Sequence, residues 1–465
     1  MNEEKLRVLE KIIRNYMRKY RIPGLSISIL QEDQLIYSKG FGARDLEKSL
    51  PMTPQTLTGI GSITKSITAF AIMKLVEQSK LKLEDSASQY LNFAPFNVHP
   101  DITIKHMLSH TTGVPAADAG LSSLFYLLDD YTHVYPATNF EDFIAHIGDP
   151  EDFIIFKPGE KFFYNNDMYT CLGFIISQIS GQDYVEFVRK EILGPLEMSR
   201  AYFSKDDFDN DPFDDKITGY LTKKKGDILV PKKNPVPMYE YLNAPGGLYV
   251  STEEMMNYAK CLLQKGIYKS KRLLTENSIE ELWTPIIPCV YGFGENPLYC
   301  LGWVRSDNYL STEVIHHGGG LGTSCAHIAL VPEHKIGIIV GQNSCNANPI
   351  IIIKTALSLL LDFDPMNEVE ELKLEDIISE IKGIYKSSHD LYNLKINLKK
   401  GILWADIEVD DGPMRYPLIV KDIEGLEFVL CGVLPPIKQN IRFLRNSESN
   451  RVEFATFDRY LYRKS

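Results

Sequence analysis

Several signals are missing from this chain, and each absence excludes a class of protein. No apolar run approaches the length needed to cross a bilayer. The opening stretch MNEEKLRVLEKIIRNYMRKY lacks the continuous apolar core of a secretory signal. There is no basic surplus, and a formal net charge of −11 argues against a nucleic-acid binder. Cys-x-x-Cys pairs are absent. The seven cysteines (Cys171, Cys261, Cys289, Cys300, Cys325, Cys345 and Cys431) are scattered and odd in number, which suits reduced thiols in a cytosol better than a disulfide framework or a zinc site. No Gly-x-Ser-x-Gly elbow, His-Glu-x-x-His helix or Walker loop occurs, so those hydrolase and nucleotide readings lack support. The expectation is a cytoplasmic protein with no cofactor, no metal, and neither nucleic acid nor membrane as a partner.

What is present fits a globular chain of two parts. At 465 residues, with 44% hydrophobic and 24% charged residues, it can bury a large core and a smaller one. Leu6, Leu9, Ile13, Tyr16 and Tyr20 follow helical spacing. Leu25 to Leu30 and Gln34 to Gly42 read as strands around a Glu32-Asp33 turn. Thr103 to Leu108 begins a short helix that ends at Ser109-His110-Thr111-Thr112-Gly113. The aromatic and acidic stretch from about Ala116 to Phe156 reads as helices and loops forming a lid or wall. Leu172, Ile175, Ile176 and Ile179 mark a helix. Ser251-Thr252-Glu253-Glu254 is a capping-box start for a helix bearing Met255, Tyr258, Ala259 and Leu262. Val314–Gly322, Ala326–Val331 and Ile336–Gly341 read as strands, and Ile350–Leu361 as a closing apolar helix.

The last hundred residues change character. Leu394, Ile396 and Leu398, then Leu403, Ala405, Ile407 and Val409, alternate with polar residues. Short strands follow near Phe428–Cys431, Ile441–Phe443, Val452–Phe454 and Tyr460–Tyr462, the pattern of a small antiparallel barrel or sandwich. The charged segment Glu368 to Glu375 reads as its linker or first helix. The expected domains are 1–365 and 366–465.

The most informative residues are Ser62-Ile63-Thr64-Lys65, at the head of a segment apolar almost all round (Ile67, Phe70, Ala71, Ile72, Met73, Leu75, Val76). A spacing of three puts hydroxyl and amine one helical turn apart on one face. Serine is a weak nucleophile until a base takes its proton, and a lysine serves only where burial or nearby cations lower its pKa. Alone the motif is weak, since Ser79–Lys82 and Ser379–Lys382 match it without context. Three further segments supply the context. Tyr164-x-Asn166 follows the turn Lys157-Pro158-Gly159-Glu160 and precedes a helix. Gly246-Gly247-Leu248 stands before Ser251-Thr252-Glu253. His317-Gly318-Gly319 lies on a strand ending in glycines. Tyr90-Leu91-Asn92 and Tyr241-Leu242-Asn243 also fit Tyr-x-Asn but follow no Pro-Gly turn, and read as structural.

In this order and at these separations the four segments resemble the penicillin-recognising serine hydrolases: class C β-lactamases, D-alanyl-D-alanine peptidases, D-aminopeptidases and related esterases. The resemblance covers roughly residues 20 to 360 and includes His110-Thr111-Thr112-Gly113 as that family's post-helix loop. It implies an α/β fold, an antiparallel sheet flanked by helices with a mostly helical insertion from about 66 to 240, followed here by a lipocalin-like C-terminal barrel. It implies Ser62 as nucleophile, Lys65 as base and Tyr164 as a partly ionised proton relay. Asn166, His317, Gly319 and Gly320 would bind substrate, with the N–H groups of Ser62 and Gly320 forming the oxyanion hole. Histidine stands where β-lactamases and most peptidases of the group carry lysine, so a substrate carboxylate would be held less firmly. This resembles the D-aminopeptidase and esterase branch and argues against β-lactam resistance. His316 and His317 both satisfy His-x-Gly. They face opposite sides of a strand, and counting back from Pro332 favours His317 for the cleft and His316 for packing. Cys325 and His327 read as structural.

The expected function is hydrolysis of amide bonds through an acyl-enzyme, on short peptides that include D-residues. A carboxylesterase, a weak β-lactam hydrolase or an inactive binding module are the alternatives. The resemblance also implies a homo-oligomer built through the C-terminal domain. The acidic loop Asp206 to Asp215 has Asp-x-Asp-x-Asp spacing, but Pro212 stands where a calcium loop needs glycine, so it reads as a solvated loop.

Overall fold

Helix α1 (Glu3–Tyr20) begins where the Asn2 carboxamide accepts the Lys5 N–H at 2.9 Å, and ends on Arg21 in the left-handed region at φ 55°. Its Leu9, Ile12, Ile13 and Tyr16 are buried, the stripe expected of an amphipathic helix laid on a core. The computed structural model describes residues 1–128, 139–148, 154–225, 228–409, 412–432 and 436–465. They divide into two compact units, Met1–Asp362 and Phe363–Ser465.

In the first unit, nine strands among the described residues form one antiparallel sheet. They are β1 (Gly24–Gln31), β2 (Gln34–Asp45), β3 (Leu50–Pro51), β4 (Ile287–Pro288), β5 (Leu298–Tyr299), β6 (Val304–Tyr309), β7 (Thr312–Gly320), β8 (Cys325–Val331) and β9 (Ile336–Gln342). Their spatial order is β4-β5-β6-β7-β8-β9-β1-β2-β3, so the two ends of the unit meet where Leu25 to Gln31 pairs with Gln342 to Ile336. Strands β8 and β9 are buried along their whole length, as continuous apolar runs covered on both faces require.

Helix α2 (Thr64–Glu77) runs through the interior, with every residue from Thr64 to Met73 buried. After it come α3 (Ile104–Leu108), α4 (Ala119–Leu127), α5 (Phe140–Gly148) and α6 (Asn166–Ser180). The turn-like α7 (Asn243–Gly246), α8 (Met255–Leu263) and α9 (Ile350–Leu360) complete the helices that bear on the site or the sheet. Of the stretch 116–156, expected as helices and loops forming a lid or wall, α4 and α5 are helical, and 129–138 and 149–153 lie outside the described residues.

The second unit carries α10 (Glu370–Ile381) and a closed antiparallel barrel of eight strands among the described residues: β10 (Gly383–Ser387), β11 (Asn393–Lys399), β12 (Ile402–Val409), β13 (Gly412–Asp422), β14 (Glu427–Gly432), β15 (Ile437–Arg445), β16 (Val452–Phe457) and β17 (Tyr460–Lys464). First and last strands close it, Tyr385 opposite Lys464. Its interior is filled by Tyr385, Leu394, Ile396, Phe428, Ile441, Phe443 and Tyr462, with Ile377 and Ile381 added from α10.

Several expectations are corrected. Strand β7 stops at Gly320 rather than Gly322, because the Leu321 N–H turns back to Ser324 O at 2.9 Å and Gly322 takes φ +72°. The capping box at Ser251 is half made: its hydroxyl accepts the Glu254 N–H at 3.0 Å, but the Glu254 carboxylate reaches the Arg200 N–H instead. The acidic loop is not simply solvated. Residues Lys205–Asp209 are helical, and Asp211 takes a two-pronged contact from Arg200 at 2.8 and 2.7 Å. Asp215 accepts from Thr53 and Thr56, both at 2.6 Å. Among the described residues no cluster of histidine, cysteine and carboxylate side chains is placed to hold a metal, and no helix is long and apolar enough to cross a membrane.

Candidate active site

Ser62 sits inside a single 3-10 turn, Gly61–Ile63, that feeds α2. The turn requires Gly61: its φ is +53°, and a Cβ there would fall 2.3 Å from the backbone nitrogen of Gly320. The Thr64 hydroxyl ties the turn by donating to Gly61 O at 2.7 Å. Gly319 meets it from the other side, where a Cβ would lie 2.0 Å from Ile60 O and 2.5 Å from Ser62 N. Strand β7 therefore lies backbone to backbone against the serine. Pairing with β6 ends at His316 opposite Val304, which leaves the rim of Gly318 to Gly320 open on that side.

Lys65 is fully buried one turn along. Its Nζ lies 3.1 Å from Ser62 Oγ and donates to Asn166 Oδ1 at 2.7 Å and to Pro245 O at 2.8 Å. Burial holds its pKa well below the ordinary lysine value, with the Asp118 and Asp167 carboxyls opposing. A neutral amine has two N–H donors and one lone pair. With two carbonyl oxygens taking those donors, the amine once deprotonated would keep its lone pair for the serine hydroxyl.

Asn166 opens α6, whose cap is Asn165: that side chain accepts the N–H groups of Asp167 and Met168 at 2.9 and 3.3 Å. Tyr164, just before it, interacts with the Ser62 hydroxyl through its phenol, and the Lys65 Nζ lies 4.8 Å above its ring. Burial pushes the phenol's pKa up. The partly ionised tyrosine expected from sequence is thus corrected: burial favours the neutral phenol. His110 packs its ring 4.2 Å from that of Tyr164, and its Nδ1 accepts the Asn165 N–H at 3.1 Å. The post-helix loop thereby braces the Tyr164–Asn166 segment.

His317 faces this side of β7. Its Nδ1–H donates to Gly318 O at 2.6 Å, leaving Nε2 to accept from the Tyr299 hydroxyl at 3.1 Å. Burial lowers its pKa to about 3. The expectation that it weakly holds a carboxylate is corrected: both ring nitrogens are committed and the ring is uncharged. His316 points the other way and stacks on His327, with rings 5.3 Å apart and Nδ1 3.2 Å from the His327 Nε2, but both also border the cavity that His317 lines, so His316 is not the purely packing residue expected.

Ser62, Tyr164, His317, Gly319 and Gly320 line one cavity of about 570 Å³, with Tyr291 and Cys345 on its walls. Lys65 and Asn166 stand directly behind Ser62. Sequence reasoning missed three groups here. Pro245 O reaches Lys65 because α7 packs on α2, and the Pro-Gly-Gly run was its only trace. Asp118, at φ 53°, accepts from Asn166 Nδ2 at 3.4 Å, and burial raises its pKa. Asp167, next to the Tyr-x-Asn motif, accepts the Ala119 N–H at 3.0 Å, and burial with Asp118 nearby lifts it to about 7.

The family model described as Beta-lactamase matches residues 9–349, and this chain belongs to that family. Protein flp of Staphylococcus aureus (strain NCTC 8325 / PS 47) is 29% identical over 343 residues, 72% of this chain and 62% of flp. The chain thus spans somewhat less than two thirds of that curated relative. The octameric penicillin-binding protein homologue from Pyrococcus abyssi superposes with a TM-score of 0.88 at 32% identity, over 99% of this chain and 100% of that one. The D-amino acid amidase from Ochrobactrum anthropi SV3 shares the fold at a TM-score of 0.63 and 18% identity, over 77% of this chain and 99% of its own.

Proposed function

We propose that the chain is a serine hydrolase that cleaves amide bonds of short peptides, D-residues among them, through an acyl-enzyme. Ser62 Oγ attacks the carbonyl carbon while its proton passes to Lys65 Nζ. The oxyanion faces the N–H groups of Ser62 and Gly320, a kind of donor whose loss typically costs about 10²–10³ in rate. The proton then reaches the leaving amine through the neutral Tyr164 hydroxyl, and water releases the acyl group by the reverse relay. Asn166 holds the lysine and offers its amide toward substrate.

One observation carries the reading: the buried Lys65 amine spends its donors on Asn166 and Pro245 and turns its remaining position to Ser62 at 3.1 Å. A pure binding module has no use for such a base. The uncharged His317 favours substrates without a terminal carboxylate, so amides and amino-terminal cleavage rank above carboxypeptidase action. Esters without a carboxylate fit the same site and are the second reading. Catalysis belongs in this proposal to residues 1–365. The Pyrococcus abyssi homologue is octameric by its description, which supports self-assembly involving residues 366–465, and the free cysteines support a reducing, cytoplasmic setting.

A fluorophosphonate probe followed by peptide mass spectrometry tests the assignment. The expected result is one label per chain, on Ser62, lost in Ser62→Ala. Label persisting in that variant overturns it. Rates on D- and L-aminoacyl anilides against nitrophenyl esters separate the peptidase from the esterase.

A further inference from the structure

Two thiols share the Ser62 cavity. Cys325 opens β8 directly opposite Gly320. Cys345, three residues beyond β9, returns to the same point: a Cβ on Gly320 would lie 2.8 Å from its Sγ. Both residues line the cavity, Cys325 buried and Cys345 exposed. Cys345 is the leading influence on the Cys325 thiol and Cys325 on that of Cys345, as expected of two neighbouring sulfurs. Cys325 beside it holds the pKa of Cys345 below the ordinary thiol value, whereas the neighbouring sulfur and burial push Cys325 up. Cys289, also close to Tyr291, is raised by burial. An exposed thiol of lowered pKa that shares a cavity wall with a second thiol is the arrangement of a peroxide-reactive pair.

We propose that Cys345 is a peroxide-reactive thiol and Cys325 its resolving partner, so that the wall of the catalytic cavity carries a site of reversible disulfide formation. The Cys345 thiolate attacks one oxygen of hydrogen peroxide. An S–O bond forms, the O–O bond breaks, and the departing hydroxide takes a proton to become water. The Cys325 sulfur then attacks the sulfenic sulfur. An S–S bond forms, the S–O bond breaks, and the leaving hydroxide with the Cys325 proton makes a second water. Two thiols lose two electrons and one peroxide becomes two waters. A dithiol reductant reverses the reaction. The consequence for catalysis rests on the role proposed for Ser62: Gly320 touches Cys345 on one side and Gly61 on the other, so drawing the two sulfurs together moves the strand end that meets the serine.

The test uses the full-length reduced protein treated with hydrogen peroxide and mapped by mass spectrometry without reduction. The expected product is a Cys325–Cys345 cross-linked peptide that dithiothreitol dissolves. Cys325→Ser should halt at a Cys345 sulfenic acid captured by dimedone, and Cys345→Ser should yield neither species. Oxidation of other cysteines while this pair stays free, or Cys345 sulfinate beside an intact Cys325 thiol, overturns the proposal. Fluorophosphonate uptake should fall several-fold in the disulfide form and recover on reduction, and an unchanged rate overturns the coupling to Ser62. Absence of label in the reduced protein strikes the Ser62 reading, while the peptide map still decides the thiol pair.

Discussion

Lys65 and Pro245 are joined by a 2.8 Å hydrogen bond from a buried amine to a backbone carbonyl. Because the acceptor is main chain, no side-chain substitution at position 245 removes it, and the packing of α7 against α2 fixes its place. The lysine is held by the fold as much as by Asn166, and its chemistry follows from that restraint.

Replacing the base should be decisive. Lys65→Met is expected to lower the acylation rate about 10²–10⁴-fold, the usual contribution of a positioned general base. In the wild type the rate should rise with pH as Lys65 loses its proton, since only the neutral amine can accept from serine. Burial places that rise well below the ordinary lysine range. Pre-steady-state label uptake across pH checks both. A rise centred near pH 10, in the ordinary lysine range, would contradict the buried neutral amine.

Tyr164→Phe removes the hydroxyl beside Ser62 and keeps the ring packed on His110. The expected loss is about 10²-fold in amide turnover, with a smaller loss on esters whose leaving group needs no proton. Equal losses on both substrates would exclude a relay to the leaving group.

His317→Gln should leave the pH profile between 5 and 8 without a lost or shifted inflection, because the native ring is already uncharged there. Comparison of kcat/KM profiles of the two proteins is the measurement. Disappearance of an inflection near pH 6 to 7 would show a titrating imidazole instead.

Gly319→Ala places a methyl group 2.0 Å from Ile60 O and 2.5 Å from Ser62 N. Neither backbone atom can yield easily, so a stability loss of roughly 1–3 kcal/mol is expected together with loss of acylation. Thermal unfolding and label uptake on one preparation test this, and unchanged values for both would refute the close approach.

Asp167 gives a stability test with a defined sign. Its folded pKa is raised to about 7 from 3.8, so the folded protein binds this proton more tightly than the unfolded chain. Stability from this group is intact in acid and declines as pH climbs from about 4 to 7, by roughly 2–4 kcal/mol. Asp167→Asn cannot ionise and should flatten that decline in urea unfolding curves measured at each pH.

How much of this could be read beforehand follows from where the signal sits. Ser62, Lys65, Tyr164, Asn166 and His317 carry it in their side chains at short, fixed spacings, so they stand out along the chain. Their companions do not. Pro245 acts through a carbonyl, which every residue has. Asp118 reaches Asn166 only because it adopts a left-handed backbone, and Cys345 meets Cys325 only because the chain turns after β9. Charge is similarly opaque: Tyr164 and His317 look like titrating groups until burial is known. In the barrel, β13 is not among the expected strands; it carries Pro417, which cannot donate to the ladder and yet sits opposite Trp404.

The large sheet ends at both borders in strands of two residues, Leu50–Pro51 and Ile287–Pro288, each finishing in proline. A proline offers no amide hydrogen, and so short a border gives an incoming chain almost nothing to zip onto. The barrel, being closed, presents no border at all. Runaway strand-to-strand stacking of copies through the large sheet or through the barrel is therefore discouraged.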